Sequence, residues 1–208
     1  MHASDDRIRS AAQLREVVGE SVAGVELKVY DHLNHYARGF IERCPFVVVS
    51  TADADGNLDA SPKGDEPGFV LVEDDRTLVI PDRPGNKLVY GLTNIVSNPH
   101  IGILFIVPGT NETLRVNGSA ELVTTPELLN QLAARGKPAV LAIRVHVDQC
   151  FFHCAKAFLR SKLWKPDSWP AREKVPFGKM FAERLDTDDA AVAETIDAMV
   201  EEDYRTNL

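Results

Sequence analysis

The sequence lacks the features on which several protein classes depend. No apolar run among its 208 residues approaches the ~20 residues of a membrane-spanning helix, and residues 1–6 lack the basic and then apolar order of a signal peptide. Its three cysteines, Cys44, Cys150 and Cys154, suggest no disulfide framework. We therefore expect a cytoplasmic protein with reduced core thiols and no membrane partner.

Positive charge and nucleotide-binding motifs are also scarce. The 23 lysines and arginines are outnumbered by 31 aspartates and glutamates, for a net charge of -8. Because nucleic acids bind basic surfaces, we expect no nucleic-acid partner. The sequence contains neither a Gly-x-Gly-x-x-Gly element nor a Walker loop, so a Rossmann site and phosphoryl transfer lack their usual motifs.

The composition, with 44% hydrophobic residues, is that of a globular chain with one main core. We predict an N-terminal helical segment over residues 1–43, a β domain over residues 44–164, and a linker with a C-terminal helix over residues 165–208. An acidic amphipathic helix is expected at residues 188–204.

Alternating and β-branched runs predict the strands of the β domain. The predicted strands are residues 46–51, 58–62, 69–73, 77–80, 101–107, 113–123 and 139–147. Residues 101–107 are apolar throughout, so we expect that strand to be buried on both faces. Hairpin connections, such as the one signalled by Asp55 and Gly56, predict a mainly β fold: a mostly antiparallel β-barrel with flanking helices.

The turn at residues 81–87 is a candidate anion site. It follows a predicted strand and precedes a helix predicted over residues 86–97, with Asn86 as its cap. Free backbone N–H groups at the helix start, together with Arg83 and Lys87, suit a phosphate. The alternative is an ordinary surface turn with two solvated cations.

A second candidate stretch spans residues 150–164. If it is helical, His153, Lys156 and Arg160 share one face, and Trp164 extends it, an arrangement that suits an anionic planar ligand. An ordinary surface stripe is the alternative. We expect no metal site, because Cys150, His153 and Cys154 lack a second Cys/His pair.

Catalytic side chains are not indicated either, since no nucleophile and base occur in a supporting arrangement.

On the predicted strand over residues 113–123, Leu114 and Val116 occupy one face, while Arg115 and Asn117 give the other face a polar character.

Four segments, taken in order, carry a resemblance to a known family. They are FIERCPFVVVSTADADGNLDASPKGD (40–65), VIPDRPGNKLVYGLTNIVSNPHIGILFIVPG (79–109), TLRVNGSAELV (113–123) and HCAKAFLRSKLW (153–164). The chain resembles the pyridoxamine 5'-phosphate oxidase-like superfamily of FMN-binding split barrels, and a subgroup of FMN-binding oxidoreductases more than the vitamin B6 oxidase itself. The resemblance implies a Greek-key-like split barrel that forms a homodimer, with FMN in the groove between subunits.

The resemblance also implies the cofactor-binding residues. Arg83, Asn86 and Lys87 occupy the place of the FMN phosphate site, and Ser61 and Lys63 match the strand end that lines the flavin. The remaining implied residues border the cofactor or reach across the subunit interface: Arg115, Asn117, Arg160, Ser161 and Trp164.

The expected function is that of an FMN-dependent oxidoreductase, in which the flavin transfers hydride or electrons to or from a small molecule. The acidic residues 201–203 replace the family's arginine-rich end, so pyridoxamine phosphate is not the expected substrate. Three alternatives stay open: a non-enzymatic flavin-binding or redox-sensing protein, a barrel that has lost its cofactor, and a barrel that holds a deazaflavin or haem. Haem would need His100, His146 or His153 as its axial ligand.

Overall fold

The structure, a computed structural model, describes residues 6–187 and 189–207. Within these ranges, seven strands form one sheet in the order β2-β1-β5-β6-β7-β4-β3, and every pairing is antiparallel. The strands are β1 (Phe46–Ala52), β2 (Leu58–Gly64), β3 (Leu71–Val72), β4 (Thr77–Asp82), β5 (His100–Ile106), β6 (Thr113–Val123) and β7 (Leu141–His153). The α-helices of the described ranges are α1 (Ala11–Val18), α2 (His35–Ile41), α3 (Tyr90–Ser97), α4 (Pro126–Gln131), α5 (Lys156–Ser161), α6 (Phe177–Arg184) and α7 (Ala190–Thr206).

Hairpins and one meander build the sheet. β1 and β2 form a hairpin, β3 and β4 form another, and β5, β6 and β7 are neighbours in the sheet, with α4 in the connection between β6 and β7. β1 joins the meander through β5, and β4 joins it through β7. The predicted antiparallel, mainly β fold with flanking helices is therefore confirmed. β2 and β3 remain as edges, so the sheet is not closed, which is consistent with a split barrel.

Local sequence signals explain the first hairpin. Its turn is stabilised by the Asp53 carboxylate, which accepts hydrogen bonds from the backbone amides of Asp55 and Asn57 at 2.9 and 2.8 Å. Gly56 adopts the left-handed conformation, with φ of 87°, which glycine enters without steric cost. The hairpin predicted from the Asp-Gly pair is therefore present.

The main core lies on one face of the sheet, and a smaller buried cluster around Val79 lies on the other face, beside α4. Ile103 and Phe105 of β5 are fully buried in the main core, and Phe40 of α2 packs against the same cluster. Leu104, which alternates with those β5 residues, stays partly exposed. The prediction that this strand is buried on both faces is therefore wrong, because the second face of β5 stays partly exposed in this antiparallel sheet.

β7 is longer than predicted and continues to His153. Its last residues pair with β6, where Thr113 faces His153, and Tyr30 forms a further bridge to Cys150. The helical arrangement considered for residues 150–164 is therefore present only from Lys156, where α5 begins. His153 lies on a strand and does not share a helical face with Lys156 and Arg160.

α3 also differs from its prediction. It begins at Tyr90 rather than at residue 86, because Lys87 and Val89 adopt left-handed backbone conformations with φ of 60° and 48°. Asn86 is not its cap; instead, the Asn86 Oδ1 accepts a hydrogen bond from the Leu88 amide at 3.1 Å.

Both terminal segments contain helices, as predicted, but residues 19–34 of the N-terminal segment form no α-helix. In the N-terminal segment, α1 buries no side chain, whereas α2 contributes to the core. Near the C-terminus α7 spans most of the predicted acidic helix, whose predicted first residue, Asp188, lies outside the described residues. α6 was not predicted, and it packs against α7. Across the described ranges, no helix is long and apolar enough to cross a membrane.

Candidate functional site

Side chains join two strands that are distant in the sheet order. Lys63 of β2 forms an ion pair with Asp82 of β4. Immediately after these strands, the Arg83 Nε donates a hydrogen bond to the Asp65 Oδ2 at 2.8 Å. The sheet therefore curls until β2 and β4 face each other across a seam, which the described residues close with side chains and not with a backbone ladder.

A groove with a volume of about 860 Å³ opens at this seam. Its polar lining includes all five residues predicted for the phosphate and the strand end: Ser61, Lys63, Arg83, Asn86 and Lys87. Its apolar lining is contributed by Val49, Phe69, Leu92, Ile95, Val140 and Ile143. The groove thus combines cations and hydrogen-bond donors with a surface suited to a flat apolar ring.

The loop between β4 and α3 presents backbone donors to this groove. Within the described chain, the backbone amides of Lys87, Val89 and Tyr90 donate no hydrogen bond, and all three residues line the groove. Tyr90 is also the first residue of α3, where the helix dipole places partial positive charge. This arrangement favours an anion.

Arg83 is held firmly at the groove wall. Besides its bond to Asp65, its Nη1 donates to the Leu132 carbonyl, which follows α4, at 2.8 Å. The Asp65 side chain is only 5% exposed, and the Arg135 Nη2 lies 3.9 Å from its Oδ1. A buried carboxylate needs such partners, because burial without them is costly.

A second carboxylate lies where β2 meets α3. The Ser61 hydroxyl donates to the Asp59 Oδ2 at 2.5 Å. The same oxygen lies 2.7 Å from the position that a Cβ on Gly91 would occupy. Behind this contact, the Asn94 side-chain amide donates to the buried Thr51 hydroxyl at 3.1 Å. The start of α3 therefore approaches β2 closely, and a glycine at residue 91 permits that approach.

The charges of the groove lining are mostly compensated. Lys63 is paired with Asp82 and Arg83 with Asp65, whereas Lys87 makes no ion pair within the described chain. Lys87 is therefore available to an incoming anion without first breaking a salt bridge.

Two residues predicted on β6 lie away from the groove. Arg115 and Asn117 project from the face of β6 opposite the core. The Arg115 Cζ is 5.4 Å from the centre of the Phe151 ring, and the Asn117 amide donates to the Gln149 side chain at 3.2 Å. Neither residue lines the groove of its own chain.

The predicted residues near α5 also bind elsewhere in the chain. The Trp164 indole donates to the Thr110 carbonyl at 2.8 Å and stacks on Phe158, with 5.6 Å between ring centres. The Ser161 hydroxyl donates to the Phe158 carbonyl at 3.1 Å, and Arg160 is exposed. None of Arg160, Ser161 and Trp164 lines the groove of its own chain.

Sequence reasoning missed the acidic residues of the site. Asp59 alternates with Ser61 and Lys63 along β2, so the period of two could have placed it on the same face. No local signal points to Asp65 or to the Leu132 carbonyl, because both meet Arg83 only through the folded sheet.

Metal and haem ligands are not concentrated in the groove. The described residues contain no group of three or more His, Cys, Asp or Glu residues placed to hold a metal ion. None of the described residues that line the groove is a histidine. The His100 Nδ1 lies 2.7 Å from the Asn98 Oδ1, and His146 and His153 are exposed.

The thiols divide into two kinds. Cys44 and Cys150 are buried, and burial raises their pKa values, that of Cys150 to about 11. Cys154 is exposed, so the prediction of three core thiols is wrong for this residue.

Comparison with known families agrees with this architecture. A family model described as pyridoxamine 5'-phosphate oxidase matches residues 33–154. The chain belongs to this family. The segment shared with the pyridoxamine 5'-phosphate oxidase family begins at Leu33, a core residue, and it includes every residue that lines the groove.

Several solved structures are similar to parts of the chain at low sequence identity. No curated protein matches the chain. HupZ of Group A Streptococcus is 21% identical, with a TM-score of 0.47, over 57% of this chain and 92% of that one. An FMN-binding protein of Syntrophomonas wolfei is 9% identical, with a TM-score of 0.43, over 56% and 88%. HutZ, a haem storage protein of Vibrio cholerae, is 15% identical, with a TM-score of 0.40, over 57% and 93%.

Proposed function

We propose that the groove binds FMN and that the protein is an FMN-dependent oxidoreductase that acts on a small molecule. The observation that carries this proposal is the convergence of Ser61, Lys63, Arg83, Asn86 and Lys87 on one groove. These residues were assigned to the cofactor from the sequence alone, and membership of the pyridoxamine 5'-phosphate oxidase family supports the same assignment.

The donors of the loop fit a flavin phosphate. A phosphate monoester carries nearly two negative charges at neutral pH and accepts several hydrogen bonds. Arg83 and Lys87 supply charge, and the unbonded amides of Lys87, Val89 and Tyr90 supply backbone donors. We therefore assign the phosphate to this end of the groove.

The rest of the groove fits the ring system. Apolar side chains such as Phe69 and Ile143 offer a surface for a planar ring, and Ser61 and Lys63 offer polar contacts. When it is bound, FMN supplies the hydride or electron transfer. Because Asp82 pairs with Lys63, we assign Lys63 to hydrogen bonding rather than to the addition of net positive charge.

We also propose a homodimer in which a second copy completes each groove. Arg115, Asn117, Arg160, Ser161 and Trp164 do not line the groove of their own chain. If these side chains serve a cofactor, they reach the groove of a second copy. Sedimentation analysis of the purified protein tests this, with a dimer expected and a monomer at all concentrations contradicting it.

The first experiment is a visible absorption spectrum of the purified protein, followed by chromatography of any compound released on denaturation. Yellow protein that releases FMN supports the proposal. A haem spectrum or a released deazaflavin would show that the protein binds that cofactor instead of FMN. Colourless protein that does not bind added FMN contradicts the proposal. Reduction of the bound flavin by a nicotinamide cofactor, with multiple turnovers, separates an enzyme from a binding or sensing protein.

Replacing Arg83 tests the phosphate assignment directly. Arg83→Ala removes a charge-assisted hydrogen-bond donor, and we expect FMN affinity to fall about 10- to 100-fold. Arg172→Ala is the matched control, since Arg172 is exposed and does not line the groove. Unchanged FMN affinity in Arg83→Ala would remove the assignment.

A further inference from the structure

We propose that Asp65 is a positioning residue: with the Leu132 carbonyl, it holds the Arg83 guanidinium so that its third nitrogen is left for the ligand phosphate. This inference rests on the proposed function. It adds to that function a residue outside the groove lining, whose role is to orient the residue that contacts the ligand.

Two hydrogen bonds fix the guanidinium plane. The Arg83 Nε donates to the Asp65 Oδ2, and the Nη1 donates to the Leu132 carbonyl, both at 2.8 Å. The guanidinium is a rigid planar fork, so two bonds from different nitrogens set its orientation. The Nη2 has no acceptor within the described chain, while Arg83 lines the groove.

The two anchors are themselves held in place. The Asp65 side chain is 5% exposed, and its Oδ1 accepts a hydrogen bond from the Glu66 amide at 3.0 Å. Leu132 is buried, and its amide donates to the Leu128 carbonyl of α4 at 3.0 Å. A flexible arginine is thus ordered before any ligand arrives, which lowers the entropy that binding must remove.

The position of Asp65 gives it two opposing effects on phosphate binding. Its negative charge reduces the attraction of the site for an anion, whereas its hydrogen bond orients Arg83. Orientation dominates in our proposal. Removal of Asp65 is therefore expected to weaken FMN binding, even though it makes the groove more positive. A simple charge effect predicts tighter FMN binding instead.

The test compares the dissociation constants of FMN and riboflavin, which lacks the phosphate, by quenching of flavin fluorescence. Asp65→Ala is expected to lower FMN affinity about 10-fold and to leave riboflavin affinity unchanged. Arg135→Ala is the control, because Arg135 lies 3.9 Å from the same carboxylate and does not line the groove. We expect a change of less than about 2-fold in that variant.

A second variant retains the charge and removes the fork. Arg83→Lys cannot bond to both Asp65 and the Leu132 carbonyl while presenting a further nitrogen in a fixed plane. We expect its FMN affinity to fall about 10-fold, close to that of Arg83→Ala. If Asp65→Ala does not fold, as judged by thermal melting, Arg83→Lys alone decides.

The outcomes separate this inference from the proposed function. Wild-type protein that binds no FMN removes the proposed function. If wild-type protein binds FMN and Arg83→Ala binds it weakly, the inference is overturned by wild-type affinity in Arg83→Lys. It is also overturned by unchanged or tighter FMN binding in a folded Asp65→Ala, or by equal losses of FMN and riboflavin affinity in that variant.

Discussion

The Asp59 carboxylate and Gly91 meet where β2 faces the start of α3, with the Asp59 Oδ2 2.7 Å from the place of a Cβ on residue 91. Real Cβ atoms do not approach an oxygen so closely, so any side chain at this position displaces Asp59. The displacement breaks the hydrogen bond from Ser61 to Asp59. The identity of residue 91 therefore controls the polar wall of the groove.

Gly91→Ala is expected to have opposite effects in two backgrounds. In the wild type, the displaced Asp59 lowers the free energy of unfolding by about 1 kcal/mol. In Asp59→Ala the obstacle is gone, and alanine in a helix raises that free energy by roughly 0.5 kcal/mol relative to glycine. Urea unfolding of the wild type, Gly91→Ala, Asp59→Ala and the double variant measures these effects. Equal stabilisation by Gly91→Ala in both backgrounds would show that the contact between residue 91 and Asp59 is unimportant.

Gly118→Ala is expected to destabilise the fold strongly, as measured by urea unfolding. Gly118 lies at a register shift between β6 and β7, and a Cβ there would be 1.9 Å from the His146 carbonyl oxygen. Because backbone must move, we expect a loss of at least about 3 kcal/mol in the free energy of unfolding.

Gly102→Ala is the matched control for Gly118→Ala. It is also a strand glycine, but its Cβ would be 3.5 Å from the nearest atom, the Asn117 Oδ1. We expect this variant to retain nearly wild-type stability in urea. Similar losses in the two variants would contradict the assigned cause.

Acid sensitivity is expected to depend partly on Asp31. Hydrogen bonds to the His32 ring and then to Arg76 lower the pKa of the Asp31 carboxyl from 3.8 to about 2. Since the folded-state pKa lies below the unfolded one, this stabilisation is present above about pH 4 and is lost as the pH falls towards about 2. Asp31→Asn should therefore lose less stability than the wild type between these pH values.

The measurement for Asp31 is the urea midpoint as a function of pH. Asp148→Asn removes another exposed carboxylate, one with no hydrogen bond to its side chain within the described chain, and serves as the control. A pH profile of Asp31→Asn identical to that of the wild type would contradict the prediction.

Thiol labelling is expected to distinguish Cys154 from the other cysteines. The thiolate is the reactive form, and the raised pKa values and burial of Cys44 and Cys150 suppress it. At about pH 8, a thiol reagent should modify Cys154 in the folded protein and all three cysteines after unfolding. Rapid labelling of folded Cys154→Ser would show that a buried cysteine is accessible.

Local patterns predicted β1 and β6 well, because β-branched runs and alternation report directly on strands. They found α3 but placed its start at residue 86 rather than at Tyr90, because Lys87 and Val89 have left-handed backbones. They also failed at the end of β7, which is held as a strand by pairing with β6 and Tyr30. Such pairing depends on residues far away in the sequence, which periodicity does not register.

For the site, the cationic loop was visible in the sequence and its partners were not. Arg83 and Lys87 belong to one short loop of the chain, and both line the groove. Asp65 meets Arg83 only after the sheet curls, and its acidic side chain carries no local signal of that contact. The assignments of Arg115, Asn117, Arg160, Ser161 and Trp164 stay predictions, since they depend on a second copy.

The seam between β2 and β4 has a consequence for how the molecule opens. Separating these strands breaks the Lys63–Asp82 and Arg83–Asp65 pairs but no rung of a backbone ladder. Widening of the groove is therefore a small local event, distinct from global unfolding. In hydrogen exchange, amides of the central β5 and β6 should report the full free energy of unfolding. Opening of the seam should leave the β2 amides that pair with β1 protected, because it breaks none of their hydrogen bonds.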